Sequence, residues 1–350
     1  MTAILPVTDG FAWGMTRLLI VVDGEDGHRR EFIALFQQMA AKGGAEVETR
    51  RLRFSDVLSS KAIFSPMLEE HTLGFLLVGV LRALLGKRSC ALLFRPGEVV
   101  RSSAPKHVLK RILLRAIRGL PLITIITIMP FELDPAFSAI ADDWIHDPQL
   151  WDLAPSSDDA ATGLADDIRA ASGGRPVMVA LGAQSRDKGF DFLSDVWDRH
   201  PAARERWLFV AAGKISGASR EKARRFAEQG GVLIDRFVSD AELKDLYNEA
   251  SMVWGCYAPE YDQASGIFGR AVQLGKPVMV RDGAYVQRLA QILDHPTLAA
   301  PWDDTEAVAR LLSTPPPAVE APSAKVRAMR RRSAEVLSRA LGVPMAESTL

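Results

Sequence analysis

Cysteine is scarce in this chain: Cys90 and Cys256 are the only two among 350 residues. They are too few and too far apart for a Cys-x-x-Cys redox motif or a four-ligand zinc site, and such sparing use suits a reducing compartment. Neither sign of charge prevails, since Lys and Arg total 43 and Asp and Glu total 43. That balance excludes a global electrostatic grip on nucleic acid, although a local basic patch stays open. No apolar run reaches the ~18 residues of a membrane-spanning helix. The nearest, residues 72–85 (TLGFLLVGVLRALL), is interrupted by Arg82. The opening stretch MTAILPVTDGFAWG lacks a basic start and carries Asp9 where a signal peptide is apolar. The expectation is a cytoplasmic protein, with contact at the inner face of the cell membrane left open. No tandem period of the solenoid type is found.

What is present is ordinary for a folded globular chain: 48% hydrophobic and 25% charged residues. At ~150 residues per domain, the length suggests about two domains. Apolar β-type runs at residues 16–22, 47–52, 90–94 and 122–128, with a short one at 144–145, alternate with helical spacing at 30–41, 66–85 and 104–117. Such alternation predicts βαβ crossovers and a parallel sheet. The pattern pauses at 147–174, rich in Pro, Ser and Asp, and resumes with strands at 177–181, 207–212, 232–234, 252–254 and 278–280. The expected architecture is α/β, with two Rossmann-like doubly wound domains facing a cleft. Its expected divisions are 1–150, a linker at 151–174, 175–320, and a terminal helix and tail at 321–350. In open α/β sheets ligands bind at the carboxyl ends of the strands, where helix N-termini converge.

The densest chemical signal runs from Gly182 to Arg288. LGAQSRDKGFDFL ends a strand and opens a helix at Lys188-Gly189, where a lysine can meet a phosphate held by backbone N–H groups. The competing reading is a solvated lysine in an ordinary βα loop. FVAAG ends a second strand on Gly213; Ser239 or Asp240 caps a helix bearing Leu243, Leu246, Tyr247 and Ala250. Gln263-Ala264-Ser265-Gly266 then opens a helix that stops at Gly275, before Pro277 begins a strand.

This ordered set, over roughly residues 177–293, resembles the carboxyl-terminal domain of the GT-B glycosyltransferases of family 4 (glycosyl transferases group 1). The matching pieces are Gly182 with Lys188-Gly189, Gly213, Val238-Ser239-Asp240 with Glu242-Leu243 and Leu246-Tyr247, and Gly275-Lys276-Pro277-Val278. The resemblance implies a GT-B fold and transfer of a sugar from a nucleotide-diphosphate donor to an acceptor hydroxyl, with retention of configuration, in polysaccharide or glycolipid assembly. The co-substrate would be the nucleotide sugar, with no other cofactor and no obligatory metal, and the acceptor a carbohydrate or a lipid-linked one. Donor contacts would come from Gly182, Arg186, Lys188, Gly213 and the backbone at Ser265, Gly266 and Ile267. The acceptor side would include Asp26 and Gly27 after the first strand, together with Arg95 and Glu98 after the strand at 90–94.

Departures from the family pattern are specific. Its two glutamates seven residues apart fall here on Asp262 and Arg270, which take the catalytic positions; the arginine after the strand glycine is Ala183, with Arg186 nearby; a histidine is replaced near Met129. A guanidinium at 270 cannot accept a hydrogen bond from ribose, though it can face a phosphate or an acidic sugar. Two other readings therefore stand beside the enzyme: a catalytically silent nucleotide-sugar-binding or scaffold module, and a sugar-nucleotide epimerase of the same architecture, which the absence of a strong histidine motif disfavours.

Elsewhere, Arg95 and Glu98 form either a structural ion pair or an acceptor-positioning pair, and His146 either packs at the domain junction with Trp144 and Trp151 or serves as a base. Residues 106–118 (KHVLKRILLRAIR) carry five Lys and Arg and no acid. Such a helix either covers a sheet with its basic face in water or lies on anionic lipid. The basic cluster RAMRRR at 327–332 reads as a solvated face. No aromatics interleave with these charges in the manner of a nucleic-acid surface, so no nucleic-acid partner is expected.

Overall fold

Near-continuous apolar strands need both faces covered, and the chain supplies a helix after almost every one. In a computed structural model, which describes residues 16–24, 28–147, 162–318 and 321–347, the first unit runs β1 (Arg17–Val21), α1 (His28–Lys42), β2 (Glu46–Arg50), β3 (Ala62–Ser65), α2 (Leu68–Leu84), β4 (Ser89–Leu93), α3 (Pro96–Arg101), α4 (Pro105–Ile117), β5 (Ile123–Thr127) and β6 (Asp143–Trp144). Its sheet is parallel with strand order β2-β1-β3-β4-β5-β6. Every residue of β4 is buried, as are Leu18 to Val21 of β1.

The second unit holds α5 (Leu164–Ser172), β7 (Val177–Leu181), α6 (Phe190–Arg199), α7 (Pro201–Arg206), β8 (Leu208–Ala212), α8 (Arg220–Glu228), β9 (Val232–Ile234), α9 (Asp240–Glu249), β10 (Met252–Gly255), α10 (Gly266–Gln273), β11 (Val278–Arg281), α11 (Tyr285–Leu293), β12 (Thr297–Ala300) and α12 (Thr305–Leu312). Its six-stranded parallel sheet has the order β12-β11-β10-β7-β8-β9. Three buried tryptophans anchor its core. Trp197 packs 4.9 Å from the Phe209 ring, Trp207 donates to the Leu312 carbonyl at 2.9 Å, and Trp254 donates to the Gly189 carbonyl at 3.0 Å. Ser239 is the residue that caps α9, in a reciprocal capping box with Glu242.

Each sheet has one strand that the sequence reading lacks, β3 and β12. Both are four residues long and follow turns, and the alanines of β12 (TLAA) give no β-branched run. The last helix, α13 (Ala324–Leu341), corrects another expectation. Arg332 is not simply a solvated cation. It stacks 3.8 Å from the Trp144 ring and donates to Asp143 at 2.6 Å, and Arg339 takes the other Asp143 oxygen at 2.8 Å. Residues 332–347 accordingly belong with the first unit. Among the described residues no helix is long and apolar enough to cross a membrane.

Arg82 is wholly buried in the first unit. Its guanidinium donates to the carbonyls of Asp56, Ser59, Lys61 and Arg88 and to Ser89 Oγ, over 2.5–3.1 Å. Burial lowers its pKa, against the pull of Asp56. The planar fork thereby ties the 3₁₀ turn at Phe54–Leu58 to α2 and to the entries of β3 and β4. Arg82→Met leaves those carbonyls without a donor and should destabilise by on the order of 3 kcal/mol in urea unfolding, with Arg82→Lys recovering part. An unchanged midpoint would mean that water replaces the guanidinium at no loss.

Candidate functional site

The residues singled out in the second unit converge on the carboxyl ends of β7, β8 and β10. β7 leads into Gly182, which has φ +84°, and β8 into Gly213, which has φ +134°. These angles suit glycine alone. A Cβ on Gly213 would overlap the Gly182 carbonyl, so the two loops pass backbone against backbone. Gln184, buried just beyond, donates to the carbonyls of Ala180, Gly182 and Ala212 and fixes the same crossing.

The loop then turns at Gly189, the N-cap of α6, again in the left-handed region at φ +78°. A Cβ there would overlap the Cys256 carbonyl and reach 2.9 Å from Trp254 Nε1. Lys188 is thus carried against the segment after β10. Its Nζ lies 2.6 Å from Tyr261 Oη, 3.9 Å from the centre of that ring and 5.2 Å from the Tyr257 ring. Tyr257 Oη in turn lies 2.7 Å from Ser265 Oγ, the N-cap of α10. A lysine and a helix start 77 residues away in sequence therefore share one tyrosine-built wall.

At that helix start Ser265 Oγ accepts from Phe268 N and the Ser265 carbonyl from Gly269 N. Helix geometry leaves the N–H groups of Gly266 and Ile267 without an intrahelical acceptor. Tyr247 Oη donates to the Ile267 carbonyl at 3.0 Å and pins this turn from α9, and the Ile267 side chain lies beside Gly182. Burial pushes the Tyr247 and Tyr257 phenols well above their ordinary range, so both stay protonated. The cluster offers a cation, two amide donors and the positive end of a helix dipole, an arrangement that takes an anion. Arg186 lies exposed in the same loop.

Asp262 and Arg270 are held by different partners. Asp262 Oδ1 accepts from Arg281 at 2.8 Å and from the Tyr285 amide at 2.8 Å, so this oxygen serves the uncapped start of α11. Arg270 Nη1 donates to Gln273 in its own helix at 3.0 Å. Sequence reasoning missed Tyr257, Tyr261 and Arg281. A signal existed: all four tyrosines of the chain fall between residues 247 and 285.

In the first unit, Asp26 and Gly27 lie outside the described residues, as does Trp151. Arg95 and Glu98 are exposed and pair at 3.5 Å. They line a cavity of about 830 Å³ together with Phe32, Phe94, Lys106 and Lys110. Glu69 accepts the Arg95 amide at 2.7 Å there, and burial raises its carboxyl pKa. Among the described residues one group can bring ligand atoms within 4.8 Å of one another for a metal ion, Asp23, Glu70 and His71. His71 interrupts α2 with non-helical φ −142° and bonds Ser65 Oγ at 2.8 Å. His146 is buried, and burial with Arg330 nearby pushes its pKa down to about 3, leaving a neutral and weakly basic imidazole.

The backbone crossings give a comparison. Gly230→Ala, at φ +87° with open space around it, should lose about 1–2 kcal/mol. Gly189→Ala should lose distinctly more, because the Cys256 backbone must also move; equal urea midpoints for the two variants would refute the tight crossing at Gly189.

No protein-family model matches the chain, and no curated protein does. Solved structures do match over nearly its full length. HepE from Anabaena in complex with UDP superposes with TM-score 0.58 at 14% identity, covering 93% of this chain and 100% of that one. Sucrose-phosphate synthase from Thermosynechococcus elongatus gives 0.55 at 14% identity, over 94% and 95%. A UDP-forming α,α-trehalose-phosphate synthase from Burkholderia xenovorans gives 0.50 at 13%, over 90% and 77%. The likeness is one of fold: α/β, with two Rossmann-like units of the GT-B type, each built on a six-stranded parallel sheet.

Proposed function

We propose that this protein is a glycosyltransferase that moves a sugar from a nucleotide-diphosphate donor to an acceptor hydroxyl. The observation that carries this reading is that Tyr261 holds Lys188, and Tyr257 the N-cap of α10, on one wall beside the Gly182 and Gly213 turns. The fold likeness to HepE, whose structure holds UDP, supports it. On this reading the donor diphosphate sits at α10, with Ser265, Gly266 and Ile267 presenting backbone donors and Arg186 adding a second cation. Charge grows on the diphosphate as its bond to the anomeric carbon breaks, and the ammonium group and the helix dipole stabilise that charge. The same two features can carry the leaving group without an obligatory metal or further cofactor. The acceptor, a carbohydrate or a lipid-linked one, is assigned to the cavity of the first unit lined by Arg95 and Glu98. Retention of configuration and a role in polysaccharide or glycolipid assembly complete the proposal, with Asp262 and Arg270 as its catalytic pair.

One observation favours a second reading. Asp262 already spends one oxygen on Arg281 and the Tyr285 amide, and position 270 carries a guanidinium where a carboxylate would serve ribose. A module that binds nucleotide sugar without turnover would show the same anion site. Labelled UDP-sugars separate the two: released UDP or slow donor hydrolysis identifies the enzyme, tight binding with no product the module.

Both readings need the lysine. Lys188→Ala should weaken UDP binding in calorimetry by about 1.5–3 kcal/mol, roughly ten- to a hundredfold, while Tyr261→Phe should weaken it less because the ring face remains. Affinity unchanged in Lys188→Ala would remove the residue from the site.

A further inference from the structure

Helix α2 in the first unit is polarised the wrong way round for a helix in water. Its only charge after His71, Arg82, is fully buried, while Leu73, Leu77 and Leu84 are 62%, 56% and 78% exposed. These three recur every four and seven residues and so form one outward stripe. A helix that is apolar all round belongs in an apolar surrounding.

The adjoining elements continue the stripe. Helices α2 and α4 both cross between neighbouring strands in the same direction, β3 to β4 and β4 to β5, which puts them on one face of the sheet. Leu73 and Leu109 line the same cavity between them. On α4 the buried residues are Leu114 and Ile117, and Leu109 and Ile112 face out at 50% and 57% exposure. The outer side of α4 is thus mixed: apolar side chains stand outward between exposed Lys106 on one flank and exposed Arg115 on the other. Phe54 and Leu58, in the 3₁₀ turn that packs on α2, are exposed as well.

Charge selects what covers this face. Over residues 68–118, from the start of α2 to the end of α4, the sequence has ten Lys and Arg, one of them the buried Arg82, against three acids, Glu69, Glu70 and Glu98, in a chain that is neutral as a whole. A second copy docked through the same face would set these cations against their own kind. We infer that the α2–α4 face docks on the surface of an anionic lipid bilayer, with the leucines entering the interfacial layer and Lys106, Arg115 and Arg118 meeting phosphate headgroups. The inference is independent of sugar transfer, and its test reads neither donor binding nor turnover.

The test is co-sedimentation of the full chain with vesicles. Binding is expected to phosphatidylglycerol-containing vesicles and not to pure phosphatidylcholine, and it should weaken as salt screens the charges. Leu73→Ser/Leu77→Ser and, separately, Arg115→Glu/Arg118→Glu should each lower the partition coefficient about tenfold or more, with circular dichroism unchanged because all four side chains are exposed. Equal partition into both vesicle types, or indifference to both double variants, would overturn the inference. So would self-association in light scattering that Leu73→Ser/Leu77→Ser abolishes, which would make the face a contact between copies.

Discussion

The candidate site rests on chain crossings so close that a single methyl group would block them. At Gly213 against the Gly182 carbonyl, and at Gly189 against the Cys256 carbonyl, loops from different strands touch through bare backbone. Because these positions also lie at positive φ, only glycine meets both demands without strain. The consequence is positional: Lys188 is delivered to the segment after β10, where Tyr257 and Tyr261 receive it, and Tyr257 reaches on to the cap of α10. Remove the close approach and the cation and the amide donors have no reason to face the same space.

Three tyrosines give this site its second property, fixity. Tyr247 holds the first turn of α10 by the Ile267 carbonyl, Tyr257 holds its cap, and Tyr261 holds the lysine. The buried phenols of Tyr247 and Tyr257 stay protonated and have few rotamers, so the first turn of α10 is held with little freedom to reorder. Asp262 and Arg281 extend the same framework to α11 by an ion pair and an amide contact. Arg270, eight residues on, instead bonds Gln273 within α10.

The first unit solves a different problem. Arg82 gathers backbone carbonyls from the turn before β3 and the start of β4, so the only Lys or Arg of α2 lies on its inner side. Leucine stands on the outer surface, where Leu73, Leu77 and Leu84 are exposed. The unit combines an inward guanidinium with outward aliphatic side chains, the reverse of the common arrangement.

Much of this was legible in residue order. Alternating apolar runs with helical spacing specify parallel α/β units, since a strand buried on both faces must be followed by a covering helix, and Ser239 with Glu242 announces its cap by local chemistry alone. β3 and β12 escaped because four-residue strands carry almost no periodic signal, and their place is settled by neighbours distant in sequence. The inward turn of Arg82, the outward turn of Leu109 and Ile112, the pairing of Asp262 with Arg281 and the docking of Arg332 on Asp143 could be decided only in three dimensions. Sequence spacing fixes which side chains share a helix or strand face, whereas burial and hydrogen-bond partners depend on what other segments bring to that face.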